Sequence, residues 1–389
     1  MLAVILALVL QASMDSSVVH VTFRVQSEVP VTNDTVHIIG NHPVLGSWEH
    51  THSLRLAHGS DGLWQGTVLL PRGLDVAFKI TRGSWLSEAV ASDGSIPPDT
   101  WISLSSDTTL SLSVNRWKDD GNRSTASITG TLHIHEDFPS SVLGTSRDIW
   151  VILPESYTND ETKRYPVLYV QDGQNVFDAR LSYSNREWHL DETADSLAKA
   201  GVISDIIIVA VSSSSQRLYE YADTTLGELY ARFIVEELKP FIDTTYRTMN
   251  DREHNAVMGS SMGALMSFLI VWWYPDVFGH AACLSPAFLW SDDKILHTVV
   301  SNPSPKPRPR IYLDVGDRDI ERELQPATKR MSTLLTSKGW MIGTDLFCAI
   351  IKDAGHNEDA WAARMAQVLL FLFASSDQNV QFMEGKACE

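Results

Sequence analysis

A serine stands at the centre of the segment Gly259-Ser260-Ser261-Met262-Gly263, which has the G-x-S-x-G pattern of a nucleophile on a sharp turn between a strand and a helix. The apolar run NAVMGS precedes the turn and a helix-length apolar run follows it. We predict that Ser261, in preference to Ser260, is a nucleophile, and that the Met262 N–H at the helix N-terminus donates to an oxyanion. The alternative is a buried structural turn with an inert serine.

A serine nucleophile needs a general base, and the base needs an acid that orients it. The usual chain order is serine, acid, histidine. His356, in KDAGHNED, follows the predicted strand DLFCAII and fits that order, whereas the other histidines of the region lie before the nucleophile or between nucleophile and acid. The segment GDRDIE offers Asp317, Asp319 and Glu321 as the acid. We predict Asp319, because three residues past Gly316 the loop is long enough to turn back toward the histidine.

The second oxyanion donor is expected in the loop Asp172-Gly173-Gln174-Asn175, after the predicted strand YPVLYVQ. The glycine lets the backbone turn and present the N–H of Gln174, and Asp172 either holds the loop or binds a substrate hydroxyl. The same four residues also make a good ordinary turn. This chemistry requires no metal and no organic cofactor, and we expect none.

Residues 128–375 contain the elements that must position these groups. Two alternating strands, ITGTLHIH and RDIWVILP, are followed by six continuous apolar runs separated by helix-length segments. Such runs are typical of strands buried on both faces of a parallel sheet. The pattern predicts an α/β domain with a mostly parallel sheet and an antiparallel entry. The polar tail, residues 376–389, is expected to be flexible.

Residues 16–118 show a different pattern, with short β segments such as VVHVTFRV and DVAFKITR cut by turn residues. This spacing predicts a small all-β sandwich. Five of the twelve tryptophans lie in this piece, of which Trp64 and Trp117 are expected in its core. The polar stretch 119–127 is predicted to be a linker.

The composition excludes several function classes. Against 31 Lys and Arg stand 48 Asp and Glu, a net charge of −17, which disfavours nucleic acid and anionic membranes as partners. Residues 1–12 form an uncharged apolar run that is too short to span a bilayer and resembles a secretory signal, so we expect a secreted or periplasmic protein without stable membrane insertion. The three cysteines, Cys283, Cys348 and Cys388, are too few for a disulfide framework or a Cys-rich metal site, and we expect Cys283 and Cys348, each in an apolar run, to be buried free thiols.

With these residues placed, residues 128–375 resemble the α/β-hydrolase esterases grouped with enterochelin esterase, esterase D, the feruloyl esterases and the mycobacterial mycolyltransferases. The supporting strings are LYVQDGQNVFD, EWHLDETADSL, NAVMGSSMGALMS, LDVGDRD and DAGHNEDAW. The resemblance implies an α/β-hydrolase sheet, a triad of Ser261, Asp319 and His356, and an oxyanion hole made by Gln174 and Met262. Trp188 and Asp191 match a family motif without an assigned role.

The N-terminal piece resembles the starch-binding carbohydrate module of the glucoamylase type, through VHIIGNHPVLGSWE, DGLWQGTVLLPRG and FKITRGSW. In that module tryptophan rings stack on sugar faces, which implies that Trp48 and Trp85, with Lys79, bind an α-glucan. The Glu-Trp-Glu stretch of the family is replaced here by Arg82-Gly83-Ser84-Trp85. The alternative is a sandwich that only braces the second domain.

Together these features predict a secreted serine esterase that acts on an acylated carbohydrate or a small ester, through a Ser-His-Asp triad and an acyl-enzyme. Three alternatives are an acyltransferase to a sugar hydroxyl, a siderophore esterase and a non-catalytic glycan-binding protein. An acceptor site that excludes water would distinguish the first, a cationic pocket the second and a broken triad the third.

Overall fold

The computed structural model describes residues 17–28, 35–48, 50–92, 96–118, 128–179, 182, 184, 186–374 and 386–388. The chain divides into two compact units, residues 1–122 and 123–389, and this division lies within the predicted linker. The apolar run 1–12, the linker 119–127 and most of the polar tail lie outside the described residues. Within the described ranges, no helix is both long and apolar enough to cross a bilayer.

The first unit is a β-sandwich, as predicted. Its strands are β1 (Val18–Ser27), β2 (His37–Gly40), β3 (Leu54–Arg55), β4 (Ala57–His58), β5 (Trp64–Pro71), β6 (Asp75–Thr81), β7 (Ala89–Val90), β8 (Thr100–Ser103), β9 (Thr108–Val114) and β10 (Arg116–Trp117). One sheet has the order β4-β5-β1-β9, the other β3-β2-β6-β8, and β7 pairs with β10. Alternate residues of β1 are buried between the sheets, which is the pattern of a half-buried strand.

Two tryptophans of this unit were expected in its core. Trp117 is fully buried and its Nε1–H donates to Ser27 Oγ at 3.1 Å. Trp64 is only half-buried and lies against the ring of His58, with 4.6 Å between centroids. The core prediction therefore holds for Trp117 and is wrong in part for Trp64.

The second unit is built on a sheet whose strands follow the predicted runs closely. They are β11 (Thr131–Ser140), β12 (Thr145–Leu153), β13 (Val167–Gln171), β14 (Ile207–Val211), β15 (Asn255–Ser260), β16 (His280–Leu284), β17 (Arg310–Gly316), β18 (Leu346–Ile351) and β19 (Lys386–Ala387). The sheet order is β11-β12-β14-β13-β15-β16-β17-β18-β19. The neighbours from β14 to β18 pair in parallel, and β11, β12 and β19 pair antiparallel.

Helices cover both faces of this sheet, because alternate side chains of the central strands enter two separate apolar clusters. Val167 and Tyr169 of β13 lie in one cluster, and Leu168 and Val170 lie in the other. The helices are α1 (Leu190–Lys199), α2 (Arg217–Glu220), α3 (Thr225–Arg232), α4 (Lys239–Thr245), α5 (Met262–Trp273), α6 (Trp290–Ser301), α7 (Glu321–Ser337), α8 (Glu358–Ala362) and α9 (Met365–Phe373), with a π-helical turn, Phe233–Leu238, joining α3 to α4.

The cysteines and the tail differ from expectation. Cys348 of β18 and Cys388 form a disulfide across a sequence separation of 40 residues, so the prediction of free thiols is right only for buried Cys283. The polar tail contains β19, which pairs with β18 at the edge of the sheet. The sequence between the two cysteines carries no signal for the pairing, since their proximity arises only when the tail returns to the sheet.

Candidate active site

Ser261 occupies the turn between β15 and α5, where the G-x-S-x-G pattern predicts a nucleophile. Its φ and ψ are 54° and −118°, a strained backbone for a residue with a side chain. The flanking glycines touch, since a Cβ on Gly259 would lie 2.5 Å from the Gly263 carbonyl carbon. Ser260 is the buried last residue of β15. The turn thus singles out Ser261, which is partly exposed.

His356 lies in the loop after β18, and its Nδ1 is 2.9 Å from Oε1 of Glu321. Glu321 is the first residue of α7 and is fully buried. Its second oxygen, Oε2, accepts a hydrogen bond from the Gly316 N–H at 2.6 Å. The structure therefore pairs the predicted base with Glu321 and not with Asp319.

The predicted role of Asp319 is corrected for a physical reason. The N–H groups of Asp317 and Arg318 both donate to Ala354 O, which ties this loop to the histidine loop and leaves Asp319 exposed, with φ 47°. The chain then enters α7, and Glu321 folds back over Gly316, where an added Cβ would lie 3.0 Å from Glu321 Cγ. Gly316 thus makes room for the side chain of Glu321 and not for that of Asp319.

The environment of Glu321 favours its ionised form. Burial raises the proton affinity of the carboxyl, but hydrogen bonds from His356, from the Ser285 hydroxyl and from the Gly316 N–H outweigh it, and the pKa of Glu321 lies below its ordinary value. An ionised acid can hold the Nδ1–H of the imidazole, which leaves Nε2 free to accept a proton.

The loop after β13 is shaped as an oxyanion donor requires. Asp172 has φ 57°, and a Cβ on Gly173 would lie 2.6 Å from backbone atoms of β14. The Gln174 side chain bonds Ser213, with Nε2 donating to Oγ at 2.8 Å. Among the described residues, no acceptor bonds the backbone N–H of Gln174 or of Met262. Both predicted donors are therefore available to a ligand.

Asp172 was predicted either to hold the loop after β13 or to bind a substrate hydroxyl. Its carboxylate receives two hydrogen bonds of 2.6 Å from Nε and Nη2 of Arg217, and Oδ2 lies 3.1 Å from where a Cβ on Gly263 would be. This bidentate pair joins the loop after β13 to α2, next to the start of α5. Asp172 thus holds the loop.

The four groups share one edge of the sheet, because each follows a strand of its parallel part. Gln174, Ser261, Glu321 and His356 come after the carboxyl ends of β13, β15, β17 and β18, and these ends lie at the same edge. The His356 ring packs edge-on against Trp361, with 5.0 Å between centroids. The sheet therefore assembles the site from distant parts of the chain.

Trp188 and Asp191, the motif residues without a role, make contacts in two different places. The Trp188 N–H donates to Asn175 O at 3.0 Å, and its buried ring packs edge-on against Trp361 at 5.9 Å. Asp191 Oδ2 accepts from the Thr129 N–H at 2.7 Å, and burial raises the pKa of Asp191 to about 8. Both residues have structural contacts, and Trp188 links the loop after β13 to Trp361, the ring that packs against His356.

Glu187, His189 and Glu192 have potential metal-ligand atoms within 4.8 Å of one another. Nδ1 of His189 already lies 3.4 Å from a Glu192 oxygen. The groups assembled around Ser261 do not include these residues.

In the first unit, the rings of Trp48 and Trp85 lie 6.2 Å apart with an interplanar angle of 35°, and Trp85 is 38% exposed. Lys79, the third predicted sugar ligand, is bonded within the unit. Its Nζ contacts a Glu88 oxygen at 3.3 Å and donates to Pro97 O at 2.9 Å, and both charged side chains are largely buried. The lysine is therefore part of an internal ion pair, and its role in sugar binding stays a prediction. Trp101, to which the sequence analysis assigns no role, is 64% exposed on β8.

Comparison with known proteins assigns residues 140–372 to a family described as putative esterase, and residues 18–130 to one described as starch binding domain. Over 163 residues the chain is 28% identical to an endo-1,4-beta-xylanase/feruloyl esterase of Xylanibacter ruminicola, covering 38% of this chain and 20% of that protein. Over 103 residues it is 38% identical to an alpha-amylase of Niallia circulans, covering 25% of this chain and 8% of the amylase.

A solved ferulic acid esterase superposes with a TM-score of 0.52 at 23% sequence identity, covering 63% of this chain and 99% of that one. This likeness shows the fold. Together with the family match, it confirms the predicted α/β-hydrolase domain, and the match to the starch binding domain confirms the predicted sandwich.

Proposed function

Because the chain belongs to the putative esterase family, we propose that it is a serine esterase that hydrolyses an acyl ester carried on a carbohydrate. One observation carries the proposal. A serine in a strained turn between strand and helix shares a sheet edge with a histidine that is bonded to a buried carboxylate. This is the arrangement of a nucleophile, a base and an orienting acid.

In the proposed reaction, Ser261 Oγ attacks the ester carbonyl while Nε2 of His356 takes the hydroxyl proton. Glu321 holds the Nδ1–H and stabilises the imidazolium that forms. The negative charge on the carbonyl oxygen is met by the free N–H groups of Gln174 and Met262, each such donor contributing about 3 kcal/mol to the transition state. His356 then protonates the leaving alcohol, and water, activated by the same base, releases the acyl group from Ser261.

The acyl group we propose is an aromatic one, such as a feruloyl group. Support comes from the relatives, since a feruloyl esterase aligns with the chain and a ferulic acid esterase shares its fold. The starch-binding module supports a carbohydrate as the alcohol part. Acyl transfer to a sugar would use the same residues, and adding a sugar acceptor to the assay separates transfer from hydrolysis by the product formed.

The test is hydrolysis of methyl ferulate and of p-nitrophenyl acetate by the purified protein and by Ser261→Ala. We expect turnover of both esters to fall by at least about 10⁴-fold in the variant. Ser260→Ala is the matched control, because it removes the adjacent hydroxyl that the turn keeps buried, and it should retain activity. Equal rates in wild type and Ser261→Ala would eliminate the proposal.

For the first unit we propose binding of an α-glucan to the faces of Trp48 and Trp85. The adjacent rings support this, since C–H faces of glucose stack on aromatic surfaces. Retention on insoluble starch should be lost in the Trp48→Ala/Trp85→Ala double variant. Leu69→Ala, which trims an exposed apolar side chain on the other sheet, is the control and should bind as wild type does. Equal retention of the double variant would count against these rings.

We further propose that the protein is secreted or periplasmic. The apolar run at residues 1–12 and the disulfide between Cys348 and Cys388 support this, since disulfides persist in oxidising compartments. Expression of the full chain followed by fractionation and mass measurement tests it. A product recovered in the cytoplasmic fraction with residues 1–12 intact would reject it.

A further inference from the structure

Ser285, directly after β16, lies behind the acid of the site. It is fully buried, has φ 46° and donates its backbone N–H to Asp314 O at 2.9 Å. Its hydroxyl is one of the groups that lower the pKa of Glu321. The same Oγ lies 3.1 Å from Nε1 of Trp361 and 3.4 Å from Nη2 of Arg364.

The partners of this hydroxyl determine where its hydrogen points. A serine hydroxyl has one hydrogen to donate and two lone pairs that accept. The indole N–H of Trp361 and the guanidinium of Arg364 are donors only, so both must point at the lone pairs. The single hydrogen of Ser285 is thereby left for the carboxylate of Glu321, which only accepts hydrogen bonds when it is ionised.

Arg364 is itself fixed. Its Nη1 donates to Oδ1 of Asp314 at 2.9 Å, in a pair that is almost completely buried. The other oxygen of Asp314 accepts from the Tyr312 hydroxyl at 2.9 Å. This pair compensates both buried charges, and it leaves the second arm of the guanidinium for Ser285.

We propose that Ser285 is a positioning residue of the esterase reaction: its hydroxyl, oriented by Trp361 and Arg364, holds the Glu321 carboxylate toward His356. This rests on the proposed function, in which Glu321 is the acid of the triad. Ser285 touches neither the substrate nor His356 in this role. It acts through Glu321, and its removal should change how tightly the Glu321–His356 pair binds a proton.

The test compares Ser285→Ala and Ser285→Gly with wild type, with glycine chosen because it accepts a positive φ without strain. A hydrogen bond to a charged group accounts for about a 10- to 100-fold factor, so we expect kcat to fall about 10-fold or more while KM for p-nitrophenyl acetate stays the same. The acid limb of the kcat/KM profile should move to higher pH, because a carboxylate with one donor fewer raises the proton affinity of the pair. Trp361→Phe, which keeps a ring against His356, should shift the limb in the same direction by less.

A second readout does not depend on turnover. The lowered pKa of Glu321 contributes stability that is present above its unfolded pKa and is lost as the pH falls through the folded pKa. The destabilisation of Ser285→Gly relative to wild type should therefore be largest near neutral pH and shrink on acidification. The charged and titratable groups around the hydroxyl are Asp314, Tyr312, His356 and Arg364, and all of them remain in the variant.

Thr328→Val is the matched control. It removes a buried hydroxyl of α7, the helix that begins with Glu321, and that hydroxyl donates to Leu324 O at 3.1 Å. Its effect on stability should not vary with pH, and its kcat/KM profile should match wild type. An unshifted acid limb together with a pH-independent destabilisation in both Ser285 variants would overturn the proposal. Absence of turnover that depends on Ser261 would instead overturn the proposed function, while the stability measurement still judges Ser285.

Discussion

The nucleophile turn, Gly259 to Gly263, and the acid loop, Gly316 to Glu321, both connect a strand to a helix at the same sheet edge. In the first, close packing of Gly259 against Gly263 allows only one backbone conformation, and Ser261 between them adopts strained φ and ψ angles. In the second, two carboxylates compete, and Ala354, from the histidine loop, decides which one turns inward. The comparison teaches that local sequence specifies a backbone turn, whereas the residue that fills a site is selected by contacts made elsewhere in the chain.

The largest effect that tests this comparison is expected from the two carboxylates. Glu321→Gln should lower kcat by about 10³- to 10⁴-fold, because a neutral amide can hold the imidazole in the wrong tautomer. Asp319→Asn changes an exposed side chain two residues earlier. It should leave kcat within about twofold, because surface substitutions of this kind have small effects. Both values come from hydrolysis of p-nitrophenyl acetate at neutral pH.

The pair of variants is its own control, since each exchanges one carboxylate for the matching amide in the same loop. A large loss in Asp319→Asn and a small one in Glu321→Gln would restore the assignment made from sequence. It would also mean that the loop rearranges when substrate binds.

Particular residues show how far the sequence predicts this molecule. Periodicity and turn residues predict the strands of the second unit, because buried parallel strands are continuous apolar runs. The pattern around Ser261 predicts the nucleophile, and chain order predicts His356. Glu321 was among three candidates but was not chosen, because the fold of the loop depends on Ala354 O, which lies more than thirty residues later.

Lys79 likewise has contacts that its local sequence does not predict. Its place in a family string implied a sugar ligand, but Glu88, nine residues later, and the carbonyl of Pro97 take its donors. Neither contact has a local signal. Short-range pattern therefore predicts where a side chain is on a strand, and not which partner it finds there.

A smaller effect should follow from disturbing the nucleophile turn itself. In Gly259→Ala the new Cβ would lie 2.5 Å from backbone atoms of Gly263, so the backbone that carries Ser261 must shift. A displacement of this kind costs about 10²-fold in rate, which kcat with p-nitrophenyl acetate measures.

Gly144→Ala is the control for the glycine substitution. Gly144 has a positive φ, 69°, and nothing lies within 4 Å of its added Cβ. Gly144→Ala should lower the free energy of unfolding by about 1–2 kcal/mol, because alanine is strained in the left-handed conformation, and it should keep full activity. If both variants lost activity in proportion to their lost stability, the special geometry of the turn would not be needed.

The smallest effect on activity, with a large one on stability, is expected at the tail. Cys388→Ser removes the disulfide that closes a separation of 40 residues, and chain entropy then predicts a loss of about 4 kcal/mol of unfolding free energy, measured by urea denaturation. Since Ala354 and Glu321 hold the histidine loop from the β17 side, kcat should be unchanged.

Wild type unfolded without reductant should show one titratable thiol, that of Cys283, and three after reduction. Three thiols before reduction, with unaltered stability in the variant, would show that the tail is held to β18 by strand pairing alone.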